Sequence, residues 1–205
     1  LNYRDHAAET GAGRPAEPVI FFKSTNANVE PDDDVILPPE SKKSDWEVEL
    51  AVVVGATLSH ADRHTAANSI AGYCLHNDLS EREFQLERCG QWVKGKSCNT
   101  FAPLGPELVT PDELPDPLHL DMGLKVNGEP LQKSNTRELH FDVAAILSSV
   151  SQYMTLLPGD VISTGTPAGV GLGLDPPRFL KAGDVMELFI EGLGTQRQEV
   201  RAFGQ

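Results

Sequence analysis

The chain reads as a mixed but β-rich domain with a few helices, and two observations predict it. Short apolar runs bounded by Gly, Pro, Asn and Asp recur along the whole length, whereas only three stretches suit a helix. An Asn127-Gly128 pair between two such runs, Leu124-Lys125-Val126 and Glu129-Pro130-Leu131, is the signature of a two-residue hairpin. At 205 residues the chain buries a core without covalent staples.

Taken in order, Pro18 to Lys23 is an apolar run behind a proline and predicts a short strand. Asp32-Asp33-Asp34 is an acidic turn into a strand at Val35-Ile36-Leu37, stopped by Pro38-Pro39. The acid triplet lacks the glycine and terminal glutamate spacing of a calcium loop. Asp45 to Gly55 predicts a strand, with Val48, Leu50, Val52 and Val54 turned into a core and Glu47 and Glu49 together on the other face. Two like charges on one half-buried face repel unless a cation or a proton lies between them. Taken alone, such a pair is more often the solvated side of an edge strand.

Residues 60–71 suit a short helix, with His60 and His64 one turn apart; without the glutamate of an H-E-x-x-H motif they read as surface residues. Gly72 to Asn77 is a strand that delivers Asp78. Ser80-Glu81-Arg82-Glu83 has the form of a capping box opening a helix to about Glu87, which sets Arg82 and Gln85 on one face beside Asp78. In Lys94-Gly95-Lys96 two lysines alternate along a strand in the same direction, although a Lys-Gly-Lys alone is usually a solvated turn. Val143, Ile146, Leu147 and Val150 mark the buried face of a helix within 142–156. Two Gly-Asp turns, at Gly159-Asp160 and Gly183-Asp184, launch strands that suggest related hairpins. Between them Thr164 to Gly173 is a glycine-rich loop with neither the lysine of a phosphate loop nor dinucleotide-binding spacing; its backbone and the Thr166 hydroxyl can approach a small ligand closely.

Composition excludes several classes of function. A formal charge of −13 leaves no basic footprint for nucleic acid or an anionic membrane. No apolar run reaches the roughly 20 residues that span a bilayer. Three cysteines without a C-x-x-C pair give neither a disulfide framework nor a zinc ribbon, and fit a reducing cytoplasm. Leu1 is not an initiator, and residues ahead of it in the full protein are expected; the length suits one large domain or two small ones.

Five motifs, in this order and at these distances, resemble the fumarylacetoacetate hydrolase family: Asn2-Tyr3-x-x-His6, Glu47-x-Glu49, Asn77-Asp78-x-Ser80-x-Arg82-x-x-Gln85, Gly95-Lys96-Ser97 and Thr164-Gly165-Thr166-Pro167-x-Gly169-Val170-Gly171. The segments 44–50 and 80–88 look most like the bacterial subgroup that includes 2,4-diketo-3-deoxy-L-fuconate hydrolase. The resemblance implies one catalytic domain over residues 1–205, a mixed β-roll with peripheral helices, a homodimer, and Glu47, Glu49 and Asp78 as ligands of Mg²⁺ or Mn²⁺, which suits a hard ion preferring oxygen donors. It implies hydrolytic cleavage of a carbon-carbon bond in a 2,4-diketo acid, releasing pyruvate; decarboxylation or isomerisation of related 2-oxo acids is the alternative. His6 oriented by Glu9 would be the general base, and Lys96 would stabilise oxyanion charge. Arg82, Gln85 and Thr166 would bind substrate oxygens, with Tyr3 and Lys23 lining the pocket. The segment Thr136 to Phe141 departs from the subgroup's pattern, and Gly123 stands where a bulkier residue is usual.

Overall fold

The computed structural model describes residues 2–4, 15–114 and 116–204; His6 and Glu9 lie outside the described residues. The elements follow in chain order. First come β1 (Asn28–Val29), β2 (Val35–Ile36), β3 (Ser44–Asp45), β4 (Val48–Val54), α1 (Arg63–Ala67), β5 (Ile70–Asn77) and β6 (Ser80–Glu81). A π-helical turn at Glu83–Glu87 leads to α2 (Val93–Lys96), β7 (Ala102–Pro103), β8 (Asp121–Val126) and β9 (Glu129–Asn135). The chain ends with α3 (Val143–Val150), β10 (Val161–Ser163), β11 (Val185–Ile190) and β12 (Gly194–Arg201). The β-rich expectation is met.

Two sheets carry the architecture. The larger has the order β2-β12-β11-β8-β9 and the smaller the order β10-β4-β5, with two-stranded ladders β1-β7 and β3-β6 at the margins. Leu50, Val52 and Leu75 of the smaller sheet share one buried core with Met122, Leu124, Val126, Met186, Leu188 and Ile190 of the larger. Both sheets thus bury one face against the other. Side chains stitch the layers: Val48 N donates to Gln132 Oε1 (3.0 Å) and Asn77 Nδ2 to Gln198 Oε1 (3.1 Å). With the even-numbered residues of β4 committed to this core, Glu47 and Glu49 are driven to the opposite face.

The hairpin at Asn127-Gly128 forms as expected, with both residues at positive φ (53° and 78°). Helix α3 buries Val143, Ile146, Leu147 and Val150, capped by Asp142 Oδ1 on Ala145 N (2.8 Å). It lies against α1, where Ser148 Oγ reaches Ala61 O (2.8 Å). The acid triplet is a turn into β2, as its composition predicts.

Several local expectations are corrected. Pro18 to Lys23 belongs to no ladder among the described residues; Val19 and Phe22 are exposed. The first helix is confined to Arg63–Ala67 behind the Asp62 cap, and His60, at φ 50°, precedes it, so the two histidines do not share a helical face. Ser80 caps nothing: Ser80–Glu81 pairs with Ser44–Asp45, and it is the Glu81 carboxylate that accepts from Glu83 N (3.0 Å). Lys94 and Lys96 lie on a helical turn, not on a strand. The two Gly-Asp turns launch strands of different sheets, β10 beside β4 and β11 between β8 and β12, so they are not related hairpins.

Candidate metal centre and its cavity

Three carboxylates converge. Glu49 lies on the outer face of β4, Glu47 immediately precedes that strand, and Asp78 leaves the end of β5, whose His76 lies directly opposite Glu49 in the ladder. A carboxylate oxygen from each of Glu47, Glu49 and Asp78 lies within 4.8 Å of the others, and all three side chains are buried. Water does not screen them, so their charges must be compensated within the protein.

Two lysines and an arginine supply part of that compensation. Lys96 Nζ donates to Glu47 Oε2 (2.8 Å) and Asp78 Oδ2 (2.6 Å), and Lys23 Nζ to Asp78 Oδ1 (2.6 Å). The Arg82 guanidinium bridges Glu47 Oε1 (2.7 Å) and Asp45 Oδ2 (2.8 Å), and donates to Gln85 Oε1 (3.1 Å). Burial pushes the Glu47 and Asp78 carboxyls up, but Lys96 and Arg82 beside the first, and Lys23 and Lys96 beside the second, hold both below the ordinary carboxylate range. Burial also works against the Lys96 ammonium; Asp78 and Glu47 outweigh it and keep Lys96 charged.

Glu49 is the exception. Among the described residues no cation contacts it; its Oε2 accepts from Gly165 N (2.8 Å), and its carboxyl also hydrogen-bonds with Ser163. Burial, then Asp78 and Glu47, push its carboxyl to about 8. A buried acid without a counter-cation among the described residues, with a carboxylate oxygen of Glu47 and of Asp78 within 4.8 Å, fits a divalent cation held by oxygen ligands.

The position of Lys96 depends on a glycine. A Cβ on Gly95 would lie 2.3 Å from Glu81 O and 2.7 Å from Gln85 Cβ, so only glycine lets α2 settle on the π turn and aim Lys96 inward. Lys94 points away, to Arg88 O (3.1 Å). On the other side Gly171 packs so closely that a Cβ would lie 1.9 Å from Arg178 O; its amide donates to Asp45 Oδ1 (2.6 Å) and that of Leu172 to Asp45 Oδ2 (3.0 Å). Asp45 therefore fixes the glycine loop and Arg82 at once. Glu47, Glu49, Arg82, Gln85 and Lys96 open into a cavity of about 540 Å³, whose wall also includes Asn2, Phe21, Trp92, Phe141, Thr166 and Leu172; Asp78 lies behind them, bound to Lys96 and Lys23.

Residues 1–201 match the fumarylacetoacetate (FAA) hydrolase C-terminal family. The chain belongs to the fumarylacetoacetate hydrolase family. Among its curated relatives, a protein of Burkholderia lata named as a hydrolase is 54% identical over 202 residues, covering 98% of this chain and 72% of the relative. Among solved structures, 2-hydroxyhepta-2,4-diene-1,7-dioate isomerase from Mycobacterium marinum superposes with a TM-score of 0.84 at 40% identity, over 93% of this chain and 71% of the other. Fumarylpyruvate hydrolase from Pseudomonas aeruginosa, solved with Mn²⁺ and pyruvate, gives a TM-score of 0.87 at 31% identity, over 98% of this chain and 86% of the other. This family member is thus an enzyme of a family with hydrolase and isomerase neighbours. No helix among the described residues is long and apolar enough to cross a membrane.

Lys23, expected to line the pocket, is bound to Asp78 instead and is not among the wall residues; within this family member the structure gathers Glu47, Glu49, Asp78, Arg82, Gln85 and Lys96. It does not bring Tyr3 to the cavity: the ring is fully buried, with its hydroxyl on Met122 Sδ (3.1 Å). Thr166 does line the cavity, but its hydroxyl donates to Val48 O (3.0 Å) and accepts from Gln132 Nε2 (2.8 Å). It therefore has no hydrogen left for a substrate carboxylate, and its side chain fastens the loop to β4 and β9.

Three contributors were given no role from the sequence. Asp45 was visible only as the residue opening the D-W-E-V-E strand. His76 lies two residues before Asp78 and hence on the same face; burial pushes its imidazole down to about 4, and its Nδ1 lies 2.7 Å from Ser163 Oγ. Asn2 donates to Phe141 O (3.0 Å) and Thr164 O (2.8 Å), anchoring the chain at the cavity wall four residues before His6.

Proposed function

We propose that the protein is a metal-dependent hydrolase that cleaves the C3–C4 bond of a 2,4-diketo acid and releases pyruvate. One observation carries this reading: three buried carboxylates lie within 4.8 Å of one another, and two of them, Glu47 and Glu49, line one cavity with Arg82, Gln85 and Lys96. Glu47, Glu49 and Asp78 would hold Mg²⁺ or Mn²⁺, which when bound supplies Lewis acidity toward the 2-oxo and carboxylate oxygens.

The residues of the chain divide the remaining work. Arg82, fixed by Asp45, and the Gln85 amide, oriented by Arg82, bind substrate oxygens. Lys96 stays protonated beside Glu47 and Asp78, so it stabilises oxyanion charge and is not the base. The base is His6, oriented by Glu9. The anchoring of Asn2 supports this, since four residues span at most about 14 Å of extended chain. His6 takes a proton from water as the oxygen adds to the C4 carbonyl. The C3–C4 bond then breaks, one fragment leaves as a carboxylic acid, and the pyruvate enolate is protonated at C3. Acylpyruvates and deoxy diketo sugar acids of the diketo-deoxy-fuconate type share this reacting unit. Exposed Phe22, Phe189 and Phe203 support assembly as a homodimer, which light scattering reads directly.

The 40% identity to an isomerase favours one second reading, tautomerisation of an unsaturated 2-oxo acid at the same residues. A screen of acylpyruvates, deoxy diketo sugar acids, oxaloacetate and an unsaturated 2-oxo dioate with Mg²⁺ or Mn²⁺ decides between them. Stoichiometric pyruvate with a carboxylic acid co-product is expected. A shift in dienol absorbance without pyruvate would establish the isomerase.

A further inference from the structure

The cavity wall is of two kinds, polar and apolar, and the apolar part restricts what a substrate can carry beyond its reacting unit. Every cation among the described wall residues is already held. Arg82 is bound to Asp45, Glu47 and Gln85, and Lys96 to Glu47 and Asp78. Next to them the wall becomes apolar. Lys96 Nζ lies 4.8 Å above the Phe21 ring, whose centroid is 5.4 Å from that of Trp92. Leu86 follows Gln85 on the π turn, and Leu172 hangs by its amide from Asp45, the residue that grips Arg82. Phe21, Leu86, Trp92 and Leu172 thus border the polar groups, each tied by chain or contact to one of them.

The geometry points to an uncharged apolar distal group on the substrate, aliphatic or aromatic, received by Phe21, Leu86, Trp92 and Leu172. A second carboxylate there would lose its water with no free cation among the described wall residues to meet it, and sugar hydroxyls would lose theirs with few partners. An alkyl or aryl group instead replaces water on both surfaces, worth roughly a threefold to fourfold gain in affinity per buried methylene. The paired Phe21 and Trp92 rings suit a flat substituent as well as a chain. This inference rests on the reaction proposed above only for the 2-oxo acid head, and it narrows the substrates to acylpyruvates with an apolar acyl group.

Trp92 provides a readout independent of turnover, because Trp46 is fully buried in the core and Trp92 borders the cavity. In the Mg²⁺-loaded protein, tryptophan fluorescence is titrated with 2-oxoheptanoate, 2-oxoadipate and 2-keto-3-deoxygluconate, with Trp92→Phe as the control for the origin of the signal. The apolar-tailed acid should bind at least tenfold tighter than either of the others, and Leu86→Arg, at a half-exposed position, should reverse the order in favour of 2-oxoadipate. Equal or tighter binding of either polar-ended acid by the unmodified protein, or binding of none of the three, overturns the inference. Apolar preference without pyruvate release from any acylpyruvate would sink the proposed reaction alone, and pyruvate release without apolar preference would sink the distal assignment alone.

Discussion

Glu49 stands directly opposite His76 in the β4–β5 ladder, and Ser163 joins them, with its Oγ 2.7 Å from His76 Nδ1 and a hydrogen bond to the Glu49 carboxyl. The neutral imidazole and the hydroxyl orient Glu49 without neutralising it. That leaves one carboxylate of the three in need of a cation, and most of the expected behaviour of the protein follows from it.

The first consequence concerns pH and metal together. In the metal-free protein the Glu49 carboxyl is raised from 4.5 to about 8, so between those values the folded state holds a proton that the unfolded chain has released. Its contribution therefore lowers stability as pH rises through that window. With EDTA, Tm should fall by about 5 °C from pH 6 to pH 8.5, and saturating Mn²⁺ should remove most of that fall. Differential scanning fluorimetry at both pH values reads it.

Replacing Glu49 and replacing Glu47 should have opposite effects on the metal-free fold. Glu49→Gln removes an acid that ionises at a cost, so it should raise the metal-free Tm at pH 8.5 while weakening Mn²⁺ binding at least 100-fold. Glu47→Gln deprives Lys96 and Arg82 of a buried partner and should cost about 3 kcal/mol. Urea denaturation in EDTA separates the two.

Asp45→Asn should loosen two things at once, since Asp45 receives Arg82 Nε and the amides of Gly171 and Leu172. The expected result is a KM raised about tenfold or more with Mn²⁺ affinity within a factor of three of the original, since Asp45 is not a proposed ligand of the ion. Steady-state kinetics and Mn²⁺ titration on the same preparation test this.

His6→Ala should reduce kcat by about 100-fold or more and leave metal affinity intact, as expected of a base that holds no ion. Full retention of hydrolysis would remove His6 from the mechanism.

The parts of the fold legible in the sequence were those fixed by local pattern. Alternation in residues 48–54, the run delivering Asp78 and the Asn127-Gly128 turn each carry their own geometry, and Glu49 faces away from the core because side-chain direction on a strand depends only on parity. What escaped depended on distant neighbours. Pro18 to Lys23 has strand composition but no ladder among the described residues, and a strand is defined by its ladder. The Ser80-Glu81-Arg82-Glu83 capping signature yields to pairing with Ser44–Asp45, some 36 residues earlier in the sequence. Val93–Lys96 is too short to show a helical period, and Gly95 is there because Glu81 and Gln85 crowd it. Tyr3 has the look of a site residue, yet Met122 takes its hydroxyl into the core.

The central claim is that Glu47, Glu49 and Asp78 form a divalent-metal site on which pyruvate release depends. Titrating Mn²⁺ into the metal-free protein, with bound ion followed by electron paramagnetic resonance and pyruvate followed in the same samples, tests it most directly. The account predicts one ion per chain, pyruvate release rising in proportion to its occupancy, and loss of both in Glu49→Gln. Undiminished pyruvate release in EDTA, or full Mn²⁺ binding by Glu49→Gln, would contradict it.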